Sequence, residues 1–106
     1  MTTLSTHVLD VERGTPAAGL PVRLFHADVE LAHEETNTDG RIALLATVEP
    51  GVYRIVFDAQ PYFAAHGRGA PFLKRISIEF EVETGAPHYH VPLLLSPYAC
   101  TSYRGS

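Results

Sequence analysis

Two histidines separated by one residue, His88 and His90, open the run His88-Tyr89-His90-Val91-Pro92-Leu93-Leu94-Leu95. Alternate side chains of an extended strand share a face, so this spacing sets both imidazoles side by side. A third imidazole, His7, lies in the middle of Leu4 to Val11, on the face of Ser5 and Leu9 and opposite Thr6, Val8 and Asp10. An imidazole within a strand must find hydrogen-bond partners or water, and any one of the three taken alone is most simply a satisfied structural histidine. His26, His33 and His66 fall in predicted loops or at element ends, where solvation accounts for them.

Taken together, His7, His88 and His90 admit two chemistries. One is a zinc site with three imidazole ligands and an open position for a metal-bound water. The other is metal-free acid/base catalysis, with arginine and hydroxyl groups positioning an anionic substrate. Arg41 and Arg104 favour the second, because fixed cations repel a dication and suit a planar, delocalised anion. No metal and no cofactor are therefore expected. A third arrangement, Ser106 as a nucleophile activated by a histidine, lacks the glycine-flanked elbow that usually presents such a serine. Nothing local in the sequence makes the strand of His7 a neighbour of the strand of His88 and His90, so their convergence is itself an expectation.

The elements that must hold these groups are short strands. Leu4 to Val11 is bounded by Glu12-Arg13-Gly14-Thr15-Pro16, Leu20 to Ala27 alternates, and Val29 to Thr36 leads into Asn37-Thr38-Asp39-Gly40. Asp-Gly between two such runs predicts a hairpin, with Arg41 opening the next strand, which continues to Val48. Val52 to Phe57 alternates again, and Asp58 is placed to cap a short helix from Ala59 to His66 with Pro61 in its first turn. Lys74 to Glu83 alternates without a fault, with Ile76, Ile78, Phe80 and Val82 against Ser77, Glu79, Glu81 and Glu83, which predicts a strand with one wet face. Seven or eight strands with recurrent turns and one short helix predict an all-β antiparallel sandwich. Ser96-Pro97 reads as a turn before the final Tyr103-Arg104-Gly105-Ser106.

The 106 residues suit a single domain spanning 1–106. Eight basic against twelve acidic residues give a net charge of -4, which disfavours binding to nucleic acid or to anionic membranes. The single cysteine, Cys100, is read as a small hydrophobe near a strand end and asks for no oxidising compartment. With no signal-like segment at Met1 to Leu4 and no apolar run near the roughly 20 residues of a bilayer span, a cytoplasmic, non-membrane protein is expected.

Four blocks, STHVLD, TDGR, HYHVPLLLSPY and a C-terminal YRGS, occur in this order, and together they resemble the transthyretin-related 5-hydroxyisourate hydrolases. The resemblance spans nearly the whole chain. It implies a transthyretin-like sandwich, assembled as a homotetramer with sites in a channel between subunits, that hydrolyses a ring amide of 5-hydroxyisourate during urate degradation. It carries catalytic roles onto His7, Arg41, His90 and Ser106. Substrate-binding roles fall on His7, Arg41, Tyr103, Arg104 and Gly105, with His88 an auxiliary ring on the same strand. It also implies that His7 or His90 takes a proton from water, Arg41 holds the substrate's oxygens, and Tyr103 with the tail fixes its orientation. Ala99-Cys100 and Ser102 stand where the family more often has Gly-Tyr and Thr, which leaves the reactive groups in place. The rival reading is a carrier of transthyretin type, whose channel would have no need of His7, Arg41, His90 and YRGS.

Overall fold

The computed structural model describes residues 1–69 and 72–105. Nine strands and one helix are found among them: β1 (Thr2–Asp10), β2 (Thr15–Pro16), β3 (Pro21–His26), β4 (Val29–Glu35), β5 (Arg41–Val48), β6 (Gly51–Phe57), α1 (Ala59–Ala65), β7 (Ile76–Val82), β8 (His88–Leu95) and β9 (Cys100–Ser102). They form two facing sheets. One runs β2-β1-β8-β9 with β5 also paired to β1, and the other runs β4-β3-β6-β7. The predicted all-β sandwich with one short helix is thus present.

All ladders are antiparallel except one: β1 and β8 lie parallel, Thr3 beside His88, Ser5 beside His90 and His7 beside Pro92. The antiparallel expectation holds everywhere that a short turn joins neighbouring strands, and it fails for the pair most distant in sequence, whose relative direction no turn dictates. Two further strands, β2 and β9, fall in segments read as connections. At two and three residues they are too short to show alternation, and they are held by pairing with Leu9 and Asp10 and with Leu93 to Leu95.

Alternation places Leu4 and Val8 of β1, Val22 and Leu24 of β3, Ile55 and Phe57 of β6, and Leu93 and Leu95 of β8 between the sheets, all essentially without exposure. Helix α1 closes one end of this core with Tyr62 and Phe63. Its expected cap is absent: Asp58 makes no capping bond, and its carboxylate accepts from Arg23 and from Arg75 at 3.1 Å each. Two guanidinium groups offer that carboxylate stronger, charge-assisted bonds than a helical N–H. Buried Asp10 accepts the Tyr62 hydroxyl at 2.7 Å and pairs with Arg68, which ties β1 to the segment that follows the helix. Burial alone would raise the Asp10 pKa, but the bonds from Arg68, Tyr62 and the Arg13 N–H outweigh it and hold the carboxyl below its ordinary value.

The Asp39-Gly40 turn exists but does not make a hairpin, because β4 and β5 belong to opposite sheets. Gly40 is required for another reason besides its φ of +74°: a Cβ there would lie 2.4 Å from the Val8 carbonyl oxygen. Cys100 is exposed on β9, not packed as a small hydrophobe, because β9 is an edge strand.

Candidate active site

The outer face of the β1–β8 ladder carries Thr3, Ser5 and His7 on one strand and His88 and His90 on the other, since paired residues of a parallel ladder share a face. Strand β5 adds Arg41 directly opposite His7. That register is pinned from both sides. The Val8 N–H donates to the Gly40 carbonyl at 2.7 Å, and Asn37 Oδ1 accepts from the Arg41 N–H at 2.9 Å. The Asp-Gly turn therefore works as a clamp that delivers a guanidinium to the neighbour of an imidazole. An open cleft of about 300 Å³ results, lined by Ser5, Arg41, Ile42, Ala43, His88 and His90.

Within it, hydroxyls and imidazoles alternate. Thr3 Oγ1 lies 2.6 Å from His88 Nδ1, Ser5 Oγ lies 2.8 Å from His88 Nε2, and the same Ser5 Oγ lies 2.8 Å from His90 Nδ1. His88 thus has both ring nitrogens engaged, whereas His90 is held at Nδ1 with no partner for Nε2 among the described residues. The pKa of His90 is lowered, first by burial and then by electrostatic repulsion from Arg41 and from the neighbouring His7 and His88 rings. A half-buried imidazole kept neutral, with one nitrogen fixed and the other available, is equipped to accept a proton at neutral pH.

On the far side of β8, the Gly105 N–H donates to the His90 carbonyl at 2.8 Å, and the Gly105 Cα lies so near the ring that a Cβ would fall 2.6 Å from His90 Cδ2. The two residues before it go elsewhere. Arg104 stacks its guanidinium over the Tyr89 ring at 4.0 Å, and with Tyr103 it lines a separate apolar cleft shared with Ile78 and Phe80. Alternation explains the divergence: Tyr89 points to the opposite face of β8 from His88 and His90, and Arg104 follows Tyr89. Within one chain, then, His7, Arg41, His88, His90 and Gly105 are brought together, and Tyr103 and Arg104 are not. Ser106 lies outside the described residues.

Ser5 and Thr3 carry no role in the sequence reading. The available signal was positional: in STHVLD, Ser5 stands two residues before His7 and so on the same face of the strand. No three side chains of His, Cys, Asp and Glu among the described residues are grouped to hold a metal ion. No described helix is long and apolar enough to cross a membrane.

Comparisons with known proteins bear on what this face is for. The 5-hydroxyisourate hydrolase of Caulobacter vibrioides is 43% identical over the full length of both chains. That of Mesorhizobium japonicum is 46% identical over 97% of this chain and 91% of its own. Among solved structures, the 5-hydroxyisourate hydrolase of Klebsiella pneumoniae superposes with a TM-score of 0.92 at 41% identity, each chain covered completely. Transthyretin from Sparus aurata gives 0.88 at 31% identity, covering 97% of this chain and 96% of its own. The HIUase/Transthyretin family model matches residues 4–105, and the chain belongs to that family.

Proposed function

We propose that this protein hydrolyses 5-hydroxyisourate, opening a ring amide to give 5-hydroxy-2-oxo-4-ureido-2,5-dihydro-1H-imidazole-5-carboxylate on the way from urate to allantoin. One observation carries the reading: an imidazole with a depressed pKa, one of whose nitrogens has no partner among the described residues, shares a cleft with a guanidinium, in a chain alike over its full length to a 5-hydroxyisourate hydrolase. His90 Nε2 takes a proton from water as the water oxygen bonds to the ring carbonyl carbon. Arg41 lies where it can draw the developing oxyanion, a charge-assisted contact that strengthens as the negative charge grows. When the carbon–nitrogen bond breaks, the proton held by His90 passes to the departing ring nitrogen, so the site returns to its starting state. His7, opposite Arg41 in the β1–β5 ladder, binds the substrate's far edge.

The reading extends to assembly and setting. The cleft is shallow and lies on an open sheet face, and Leu44 of β5 is more than half exposed, so other copies of the chain in a homotetramer complete the cleft's walls and bring Tyr103 and Arg104 into the substrate's reach. A free, exposed Cys100 suits a reducing, cytoplasmic setting. The test is the decay of freshly generated 5-hydroxyisourate, followed by absorbance with and without the protein, alongside a mass measurement in solution. Accelerated decay by a species of about four times the 11.6 kDa chain is expected. No acceleration, with retained binding of apolar ligands, would instead favour the carrier reading that likeness to transthyretin invites.

A further inference from the structure

His88 and Ser5 are left without work by the hydrolysis as described, yet they form the most fully connected polar group on this face. From the alternation Thr3–His88–Ser5–His90 we infer that Ser5 is a proton relay that couples the tautomer of His90 to that of His88, letting one imidazole serve in turn as base and as acid. The inference rests on the hydrolase reading for its purpose, but not for its geometry.

The chain of bonds closes in both directions. In one direction His90 Nδ1–H donates to Ser5 Oγ, the Ser5 hydroxyl donates to His88 Nε2, and His88 Nδ1–H donates to Thr3 Oγ1. The Thr3 hydroxyl then still has an acceptor in the Pro87 carbonyl at 3.4 Å. In the other direction the Thr3 hydroxyl donates to His88 Nδ1, His88 Nε2–H donates to Ser5, and the Ser5 hydroxyl donates to His90 Nδ1. Every donor between Thr3 and His90 Nδ1 has an acceptor either way, and only the His90 Nε2–H of the second setting has none among the described residues, which leaves it for the substrate. The two settings differ at His90: the first leaves Nε2 bare, a base, and the second puts the proton on Nε2, an acid. A serine hydroxyl suits this position because it donates one bond and accepts others, and it can exchange those roles without moving its oxygen.

The protons balance. Beginning in the first setting, His90 Nε2 takes a proton from the attacking water and the ring becomes an imidazolium. Its Nδ1 proton moves to Ser5 as the Ser5 proton moves to His88 Nε2, so the positive charge rests on His88, which keeps its Nδ1–H on Thr3. His90 is now neutral with its proton on Nε2. As that proton goes to the leaving ring nitrogen, the His88 Nε2 proton passes to Ser5 and the Ser5 proton to His90 Nδ1 in the same event, so no imidazolate forms and both rings recover their first setting. The gain is separation: the cation formed beside Arg41 during attack is moved two residues along β8 before the leaving nitrogen needs its proton. The other charged and titratable groups near His90 are Arg41 on β5 and His7 on β1.

Ser5→Ala removes the bridge with little steric risk, since Ser5 is buried and alanine is smaller. His88→Gln keeps a hydrogen-bonding group near Ser5 but cannot carry a proton. Each should lower kcat by about 10²-fold with little change in KM, as loss of a positioned proton-transfer group does. Because both cut the same wire, the double variant should be no slower than the slower single one. Nitrogen-resolved NMR of the imidazoles supplies a readout independent of turnover: in Ser5→Ala the tautomers of His88 and His90 should both change. Rate losses that multiply, a His88→Gln protein at wild-type rate, or unchanged ring spectra in Ser5→Ala would each overturn the relay. If the wild-type protein itself fails to accelerate 5-hydroxyisourate decay, the hydrolase reading falls, while the ring spectra still decide the coupling.

Discussion

Replacing Gly105 by alanine puts the closeness of the tail to His90 to a quantitative test. The backbone of Gly105 is outside the left-handed region, so alanine meets no conformational objection there. The objection is steric. The added Cβ would lie 2.6 Å from His90 Cδ2, with Cγ and Cβ of the same ring at 3.3 and 3.4 Å. Non-bonded carbons settle at about 3.5 Å or more, so ring and tail must part by about 1 Å. The ring is anchored through Nδ1 to Ser5 at 2.8 Å and the tail through the Gly105 N–H at 2.8 Å, and one of these bonds must give way. A displacement of about 1 Å at a reacting group typically costs about 10²-fold in rate, which is about 2.7 kcal/mol of transition-state stabilisation. Stability should fall far less, because Gly105 belongs to an isolated bridge at the edge of the sheet and not to the core. Decay of 5-hydroxyisourate, measured beside the thermal midpoint, separates the two effects. A Gly105→Ala protein with wild-type kcat would mean that the working enzyme does not hold its tail against His90.

Single replacement of His90 or Arg41 by alanine should lower the rate about 10²- to 10⁴-fold with assembly intact, and near-normal turnover would remove that residue from the mechanism. The pH profile carries a sign. His90 is depressed by burial and by Arg41, so activity should hold to below the ordinary histidine value of 6.5 before falling as His90 is protonated. In Arg41→Gln one depressing influence is gone, the His90 pKa rises, and the acid limb of the residual activity should move to higher pH; a limb that stays fixed would belong to another group. Arg68→Met should cost about 3 kcal/mol, since it strips the fully buried Asp10 carboxylate of its ion pair, and the thermal midpoint should drop by about 10 °C or more. Because Asp10 is lowered from 3.8 in the folded state, that stabilisation is complete well above pH 3.8 and is lost as pH falls through the lower folded value, so the wild-type advantage should shrink in acid.

Local pattern was legible wherever it was long enough to have a period. The faultless alternation of β7 and the His88/His90 pair both survive in the fold, because a strand with one buried face permits only one register. The direction of β8 against β1 was not legible, since no turn joins them and pairing across 85 residues leaves no local trace. Asp39-Gly40 announced a turn but not its purpose, which depends on the Val8 carbonyl packed against it. Tyr103 and Arg104 were grouped with the site through the resemblance carried by YRGS, whereas within one chain strand alternation sends Arg104 to the Tyr89 side. Ser5 was placed on the face of His7 but given no role, because its bonds run to His88 and His90, cross-strand neighbours that the local sequence does not reveal.

The parallel ladder between β1 and β8 also sets when the protein can acquire activity during its synthesis. Half of the proton-handling group emerges with the first strand and the other half only with the last long one. A nascent chain on the ribosome therefore has no site, however well its second sheet has already formed. Closing so long a loop is slow relative to forming hairpins, and β1 must wait with an unsatisfied central edge until β8 arrives. That interval, rather than any weakness of the finished sandwich, is when the chain is most exposed to pairing with a stranger's strand.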